Sequence, residues 1–233
     1  LKAFIPAKDF DGGSVNEIAQ KHAVTYIKSH IEETNWNAVW ESNFQPVVVD
    51  DFVGIRANFH EPINGVEHEI VITPKMSFGT GHHATTFLMI QQMRDIDFSG
   101  KTIFDFGTGT GILAILAEKL GAAKILAVDY DEWSIANTAE NLERNNCIKS
   151  ELKKADNAEG RESFDIILAN INKNVILDNF SALVQQLAPG GILLLSGLLI
   201  DDENDIHAHA SKYPLIFNGK ATRNNWICLR FSH

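Results

Sequence analysis

Residues 102–120 read TIFDFGTGTGILAILAEKL: a short apolar segment, a glycine-rich turn and an apolar stretch of helical length. From there to the end of the chain, short apolar segments alternate with segments of helical pattern. This alternation predicts right-handed βαβ crossovers and an α/β fold with a mostly parallel sheet covered by helices on both faces. The last two strands have no helix between them and are expected to form an antiparallel hairpin at one edge. The predicted strands are 102–106, 124–129, 164–170, 191–197, 215–217 and 227–231, and the predicted helices are 111–120, 132–145, 173–187 and 202–211.

The part of the chain before residue 101 follows a different pattern. Residues 2–6 predict a short strand, and Ser14 is expected to cap a helix that runs to about Ile31. One strand and one helix cannot bury a core, so we interpret this part as the end of a small α/β domain whose beginning is absent. Trp36 and Trp40 are expected to pack on a short helix. Further predictions are strands at 47–49, 52–56 and 68–73, a turn at Asn64–Gly65, and a helix from Thr85 or Thr86 to about Asp95.

Composition limits the classes of function. The chain has 233 residues, a formal net charge of −10 and a pI near 5.3. This charge argues against a broad phosphate-binding surface for nucleic acid and favours a basic protein or peptide as partner. The sequence contains no apolar run long enough for a membrane span, and no secretory signal opens it. Because Cys147 and Cys228 lack metal or redox spacing, we expect reduced thiols in a cytoplasmic protein.

The glycine-rich turn is the first candidate binding site. In open α/β sheets, ligands bind beyond the carboxyl ends of the strands, where this turn lies. The next predicted strand ends at Asp129, 22 residues after Gly107, a position that typically holds ribose hydroxyls. A dinucleotide fingerprint would need glycine at position 112, where the chain has Ile112. In the alternative interpretation, the glycines only make a tight turn and Asp129 caps the next helix.

The pattern Gly107-x-Gly109-x-Gly111, preceded by Asp105, resembles motif I of class I S-adenosylmethionine-dependent methyltransferases. This resemblance implies a Rossmann-like sheet. It also implies that Asp105 lies near the methionyl ammonium, that Asp129 holds the ribose, and that Asp156 and Asn157 contact adenine. Four acidic or amide side chains in the expected order favour the cofactor interpretation over a simple turn.

The strand 164–170 ends at Asn170, followed by Ile171, Asn172 and Lys173. Amino-directed methyltransferases of this fold often carry an Asn-Pro-Pro-Tyr-like motif here, beside the reactive methyl. Only the Asn is present, which argues against a planar base or amide as substrate, because these stack on the aromatic residue. An Asn side-chain oxygen can orient an amine without binding its proton tightly, so Asn170 is the candidate catalytic residue. The alternative role for Asn170 is that of a helix cap.

Several segments occur in one order: NWNAVWESNF at 35–44, PKMSFGTGHHATT at 74–86, DFGTGTGILAILAEKLGA at 105–122, VDYD, LANI, PGGILLLSGLL and Asn225-Trp226. Over about residues 34–233 the chain resembles the bacterial methyltransferase family that trimethylates the eleventh protein of the large ribosomal subunit. The resemblance implies that Phe78 and Thr86 contact the cofactor together with Gly107, Asp129 and Asn170.

The resemblance also implies a domain organisation and a reaction. Members of the family begin with a ferredoxin-like substrate-recognition domain, of which 1–33 is the expected remnant. Residues 34–95 are then a connecting segment that carries a cofactor lid, and 96–233 are the catalytic domain. The expected activity is methyl transfer to lysine side chains, with the α-amine as a further candidate, by a monomer that contacts neither nucleic acid nor membrane. The alternatives are methylation of another basic protein or a small amine, and a non-catalytic, cofactor-binding assembly factor.

Three other residues require an interpretation. His82 and His83 are adjacent, but no third ligand is spaced to complete a metal site, so we expect loop packing or hydrogen bonding for both and no metal. Trp226 either closes the substrate side of the pocket or packs under the terminal hairpin, and the sequence favours neither.

Overall fold

The computed structural model describes residues 2–30, 44–75 and 79–233. The chain divides into two compact units, Leu1–Val39 and Trp40–His233. The predicted helix with Trp36 and Trp40 lies outside the described residues, as does Phe78. Within the described residues, no helix is long and apolar enough to cross a membrane.

The first unit contains helix α1, Gly12–Lys21, preceded by a single 3₁₀ turn at Ala7–Asp9. The prediction of a strand over 2–6 was wrong, because these residues are irregular. The cap was also misassigned. Asp11 is the N-cap and accepts hydrogen bonds from the Gly13 amide at 2.9 Å and from the Ser14 hydroxyl at 2.6 Å. The Asp11 carboxylate therefore takes the capping role about one turn earlier than the predicted Ser14.

Helix α1 ends about ten residues before the predicted end near Ile31, which lies outside the described residues. The chain leaves the helix after Lys21 through His22 and Ala23, whose φ of 50° is left-handed. No apolar face of α1 is buried in this unit, so packing does not extend the helix as the apolar periodicity suggested.

The second unit contains a small sheet and a large one. The small sheet consists of β1 (Val47–Val49), β2 (Val53–Ala57) and β3 (His68–Ile72), in the order β1-β2-β3. β1 is antiparallel to β2, and β2 is parallel to β3. The predicted turn at Asn64–Gly65 is confirmed, with Gly65 at a φ of 81°.

The large sheet has seven strands in the order β6-β5-β4-β7-β8-β10-β9. Strands β4 to β8 run parallel to one another, and β10 is antiparallel to both β8 and β9. The predicted parallel sheet with an antiparallel terminal hairpin is therefore confirmed. Its strands are β4 (Thr102–Phe106), β5 (Lys124–Asp129), β6 (Ser150–Lys154), β7 (Phe164–Asn170), β8 (Leu187–Leu199), β9 (Ile216–Arg223) and β10 (Trp226–Ser232).

The helices of this unit match the predicted positions within a few residues. They are α2 (Ala84–Arg94), α3 (Ile112–Lys119), α4 (Glu132–Arg144), α5 (Lys173–Gln185) and α6 (Glu203–Ala210), with a short 3₁₀ turn at Ile200–Asp202. The cap of α2 was predicted at Thr85 or Thr86, but His83 is the N-cap, since its side chain accepts from the Thr85 amide. A histidine ring nitrogen takes the place of the hydroxyl oxygen that usually caps a helix.

The core lies on both faces of the large sheet because side chains alternate along each strand. On β4, Ile103 belongs to one buried cluster, and Phe104 and Phe106 belong to the other. The first cluster also contains the apolar faces of α2 and α3 and the small sheet, and the second contains those of α5 and α6. The strand order reverses between β4 and β7, so their carboxyl ends form a topological switch point.

Candidate active site

A cavity of about 510 Å³ opens at the carboxyl ends of β4, β5 and β7. Its size is typical of small-molecule sites, and its place at the switch point is where open α/β sheets bind ligands. Its lining residues are His83, Phe106, Gly107, Gly109, Asp129, Tyr130, Asp131, Ser134, Ala155, Asp156, Asn170, Ile171, Asn172, Val175, Gly197 and Trp226.

The segment Gly107–Gly111, which we call the glycine loop, forms one wall of this cavity. Gly107 has a φ of 81°, and a Cβ there would lie 2.2 Å from the Ile171 Cγ2. Gly197 also contacts Ile171, since a Cβ on Gly197 would lie 2.1 Å from its carbonyl oxygen. Ile171 is therefore held between two glycines, and neither position can accept a side chain without displacing the wall.

Asp129 fixes the loop to the neighbouring strand. One carboxylate oxygen accepts from the Gly109 amide at 2.9 Å, and the other accepts from the Asp131 amide at 3.0 Å. The alternative in which Asp129 caps the next helix is wrong, because Asp131 is the N-cap of α4 and accepts from the Ser134 amide. Asp129 thus lines the cavity and braces the loop at the same time.

Asp105 lies beneath the loop and is not part of the cavity wall. Its side chain is buried, and one oxygen accepts from the Thr108 hydroxyl at 2.6 Å. The other oxygen has no hydrogen-bond partner among the described residues. Burial, helped by the charge of Asp129, raises the pKa of Asp105 to about 7. A cation near this carboxylate would compensate the cost of keeping it ionised.

Asn170 lies at the end of β7, paired with Ser196 of β8. Its amide nitrogen donates to the Thr86 hydroxyl at 3.3 Å, and its amide oxygen has no partner in the described part of the chain. The helix-cap alternative is wrong, because Asn172 caps α5 by accepting from the Val175 amide. Thr86 is itself buried and does not line the cavity.

The structure brings Asp156, but not Asn157, to the wall of this cavity. Asp156 lines both this cavity and a neighbouring cavity of about 700 Å³ along α5, whereas Asn157 lines the neighbouring one and not the first. Asn157 bonds locally, donating to the Asp156 carboxylate and accepting from the Glu159 amide. The neighbouring cavity is larger, but the glycine loop, Asp129 and Asn170 do not line it. The smaller cavity is therefore the better candidate for chemistry.

The two histidines and Trp226 occupy different surroundings. His82 packs edge-on against Phe44, with ring centroids 4.8 Å apart, in agreement with the predicted packing role. His83 caps α2, lines the cavity and packs edge-on against Trp226 at 4.5 Å. Burial lowers the pKa of His83. Trp226 lines the cavity from β10, so the structure places it on the pocket wall rather than only under the hairpin.

Several wall residues were not predicted as site residues. Tyr130 follows Asp129 directly, and Gly197 ends the predicted strand 191–197. A strand-terminal glycine is a signal that could have identified Gly197, because backbones approach closely at such positions. Ile171 follows the candidate catalytic residue Asn170 directly, but the sequence did not indicate that its own side chain would form part of the wall, and Val175 carried no signal.

Comparison with known proteins supports one family. Residues 3–233 match the family model of the ribosomal protein L11 methyltransferase (PrmA). A ribosomal protein L11 methyltransferase from Bacteroides fragilis is 39% identical over 211 residues, which cover 89% of this chain and 75% of the relative. The corresponding protein from Porphyromonas gingivalis is 38% identical, and the alignment covers the whole of this chain and 83% of that relative.

Solved structures show the same fold. The ribosomal protein L11 methylase from Lactobacillus delbrueckii has a TM-score of 0.75 and 28% identity, over 81% of this chain and 98% of that chain. A methyltransferase from Pyrococcus furiosus, with a TM-score of 0.54 and 22% identity over 62% of this chain and 82% of that one, shares the fold alone. The predicted family and fold class are thereby confirmed: the chain belongs to the ribosomal protein L11 methyltransferase (PrmA) family.

Proposed function

We propose that the protein transfers methyl groups from S-adenosylmethionine to amino groups of large-subunit ribosomal protein L11, on lysine side chains and, as a further candidate, the α-amine. The observation that carries this proposal is Asn170. Its amide nitrogen is bonded to Thr86, and its amide oxygen, buried at the wall of the cavity, has no partner among the residues that the structure describes. An amide oxygen fixed in this way is suited to accept a hydrogen bond from a substrate amine.

The described residues fit the cofactor. Gly107 and Gly109 leave one wall without side chains, and Asp129 and Asp156 add carboxylates to the same cavity. Asp129 would hold the ribose and Asp156 the adenine. Asp105, when ionised, would place negative charge beneath the glycine loop, where one of its oxygens has no partner among the described residues. A cationic ligand there would stabilise the carboxylate and lower its raised pKa. Asn157 contributes only through its bond to Asp156, and a contact of Phe78 with the cofactor stays part of the proposal.

When bound, S-adenosylmethionine supplies a methyl group on a positively charged sulfur, so the protein needs no strong acid. The substrate amine must lose a proton and align its lone pair. A free lysine amine has a pKa of about 10.4, so neutralising it near pH 7 costs roughly 4–5 kcal/mol. A pocket wall of Ile171, Val175 and Trp226 excludes water and lowers that pKa. Asn170 orients the neutral amine, and alignment of this kind provides much of the rate.

We also propose how the chain divides this work. Residues 96–233 form the catalytic domain, 34–95 connect it to the substrate-recognition part, and 1–33 belong to that part. Two residues of the connecting segment contribute to the site: His83 lines the cavity, and Thr86 accepts a hydrogen bond from Asn170. Catalysis therefore requires both the connecting segment and the catalytic domain. Since one chain supplies the whole described wall, the enzyme is proposed to act as a monomer, in the cytoplasm where its ribosomal substrate is made.

The proposal is tested by methyl transfer in solution. The protein is incubated with S-adenosylmethionine and purified ribosomal protein L11, and the mass of L11 is followed. We expect mass increments of whole methyl groups that depend on enzyme concentration. Free lysine, a basic non-ribosomal protein and lysine peptides serve as controls for substrate class. Cofactor binding without any methyl transfer would instead favour a non-catalytic, cofactor-binding protein.

A further inference from the structure

Helix α4 carries a buried polar face that the proposed reaction does not use. Asn137, Thr138 and Asn141 are completely buried, although polar side chains are usually exposed on a helix that covers a sheet. Asn141 lies four residues after Asn137 and three after Thr138, so the three side chains project from one side of the helix. Buried polar groups are costly unless they are hydrogen-bonded, so their partners indicate what this face is for.

Two of these side chains hold successive carbonyls of the glycine loop. The Thr138 hydroxyl donates to the Gly109 carbonyl at 2.7 Å, and the Asn141 amide donates to the Thr110 carbonyl at 2.8 Å. The Thr138 methyl also packs against Gly111, where a Cβ would lie 2.7 Å from it. Both carbonyls are thus bonded to α4 while Gly109 lines the cavity.

Asn141 has a second contact, on the other side. Its amide oxygen accepts from the Thr73 amide at 2.8 Å, just after β3. Asn141 therefore connects the glycine loop to the chain segment that leaves the small sheet. The Thr110 hydroxyl extends this connection by donating to the Gly79 carbonyl at 2.8 Å.

Asn145, the C-cap of the same helix, provides an internal comparison. Its side chain accepts from the Val71 amide at 3.0 Å and donates to the Val71 carbonyl at 2.7 Å. It joins α4 to β3 as Asn141 does, but none of its hydrogen bonds reaches the glycine loop. Replacing Asn145 therefore weakens the connection between α4 and the small sheet without removing a hydrogen bond to the glycine loop.

We propose that Thr138 and Asn141 are positioning residues that set the conformation of the glycine loop and thereby the affinity for the cofactor. They act through the two loop carbonyls and not on the substrate amine. The inference rests on the proposed function as far as the identity of the cofactor is concerned. The positioning of the loop can be measured without any ligand.

The test compares T138V, T138S, N141A and N145A in the full chain. T138V keeps the methyl group of Thr138 and replaces the hydroxyl with a second methyl, and T138S keeps the hydroxyl and removes the methyl. We expect T138V and N141A to weaken S-adenosylmethionine binding about tenfold, because each leaves a buried loop carbonyl without its donor. T138S and N145A should stay within about threefold of the original protein. Turnover at saturating cofactor should change less than binding, because Asn170 is untouched.

Hydrogen–deuterium exchange of the glycine-loop amides, without ligand, provides the second readout. Exchange should be faster in T138V and N141A than in N145A at equal thermal stability. Equal exchange in N141A, T138V and N145A, or equal cofactor affinity in all of them, would overturn the inference. If the original protein does not bind S-adenosylmethionine, the proposed function fails, whereas the exchange comparison still decides whether these residues position the loop.

Discussion

The chain contains the tetrapeptide Phe-Gly-Thr-Gly twice, at 78–81 and at 106–109, and the two copies have different surroundings. Gly107 meets Ile171 in the cavity wall. Gly81 instead meets Ile55 of the small sheet, where a Cβ would lie 2.6 Å from the Ile55 Cδ1. Both glycines have left-handed φ values. The same local sequence therefore forms a cavity wall in one place and allows close packing against the small sheet in the other.

The two copies are also connected through hydrogen bonds. The segment Gly79–His83, which we call the upstream loop, accepts a hydrogen bond from Thr110 at the Gly79 carbonyl and then caps α2 through His83. Helix α2 carries Thr86, which is bonded to Asn170. The upstream loop thus contributes to the site through its neighbours, while the glycine loop contributes its own backbone. Four predictions test this distinction.

The largest effect is expected for G107A. Its Cβ would meet Ile171 at a left-handed φ, so the wall must move, and cofactor affinity should fall by about two orders of magnitude or more. G81A is the matched variant in the upstream loop. It should lower thermal stability through its contact with Ile55 and change cofactor affinity only a few-fold. Calorimetric titration and thermal unfolding of both variants measure the two effects, and equal loss of affinity would remove the distinction.

Asn170 is predicted to act on turnover. N170A removes the oxygen that orients the amine, and kcat should fall about 100-fold while cofactor affinity is nearly unchanged. N170D should also be slow near neutral pH, because a carboxylate stabilises the substrate ammonium and raises its pKa. Its rate should recover as the pH increases. A parallel loss of cofactor affinity in N170A would instead assign this residue to binding.

The raised pKa of Asp105 predicts that the affinity for the cofactor depends on pH. Its pKa of about 7 exceeds the ordinary value of 3.8, so in the ligand-free protein its contribution to stability decreases as the pH rises through that range. The ionised form binds the cationic cofactor, so affinity should rise about fivefold from pH 6 to pH 7 as the carboxyl group loses its proton. Titrations over this range should show no such rise for D105N. A pH-independent affinity in the original protein would contradict the role of Asp105.

The smallest effect is expected where the two loops touch. T110V removes the hydroxyl that donates to Gly79 and should cost about 1 kcal/mol of stability, the usual value of one buried hydrogen bond. Cofactor affinity should fall about two- to threefold, because the Thr110 carbonyl keeps its bond to Asn141. T110S should restore both quantities. An affinity loss as large as that of G107A would mean that the upstream loop shapes the cavity directly.

The sequence predicted six of the seven strands of the large sheet, most of them because they are apolar runs separated by helices of ordinary length. It missed β6 (Ser150–Lys154), whose sequence SELKK contains a single apolar residue. It also placed Gly107, Gly109, Asp129, Asp156 and Asn170 in one site, and the structure brings these residues to one cavity. The length of strand β9 was underestimated: the prediction was 215–217, and the strand is Ile216–Arg223. Its exposed, mostly polar residues do not form an apolar run that would have indicated a strand.

Other features depended on contacts that sequence patterns do not contain. The helix caps at Asp11 and His83 were missed because neighbouring Ser and Thr residues offered equally good local signals. Asn141 gave no signal either, since its partners Thr73 and Thr110 are distant in sequence. Likewise, only the fold separates Asn157 from the cavity that Asp156 lines.

The central claim is that the glycine loop, and not the upstream loop or the larger cavity along α5, holds the cofactor. The most direct measurement is a titration of the isotope-labelled protein with S-adenosylhomocysteine, the demethylated form of the cofactor, followed by backbone amide chemical shifts. We predict that the largest changes occur at Gly107, Gly109, Asp129 and Asn170, with smaller ones at Gly79 and Gly81. Changes centred on Asp178 and Gln185, which line the larger cavity, would contradict the claim.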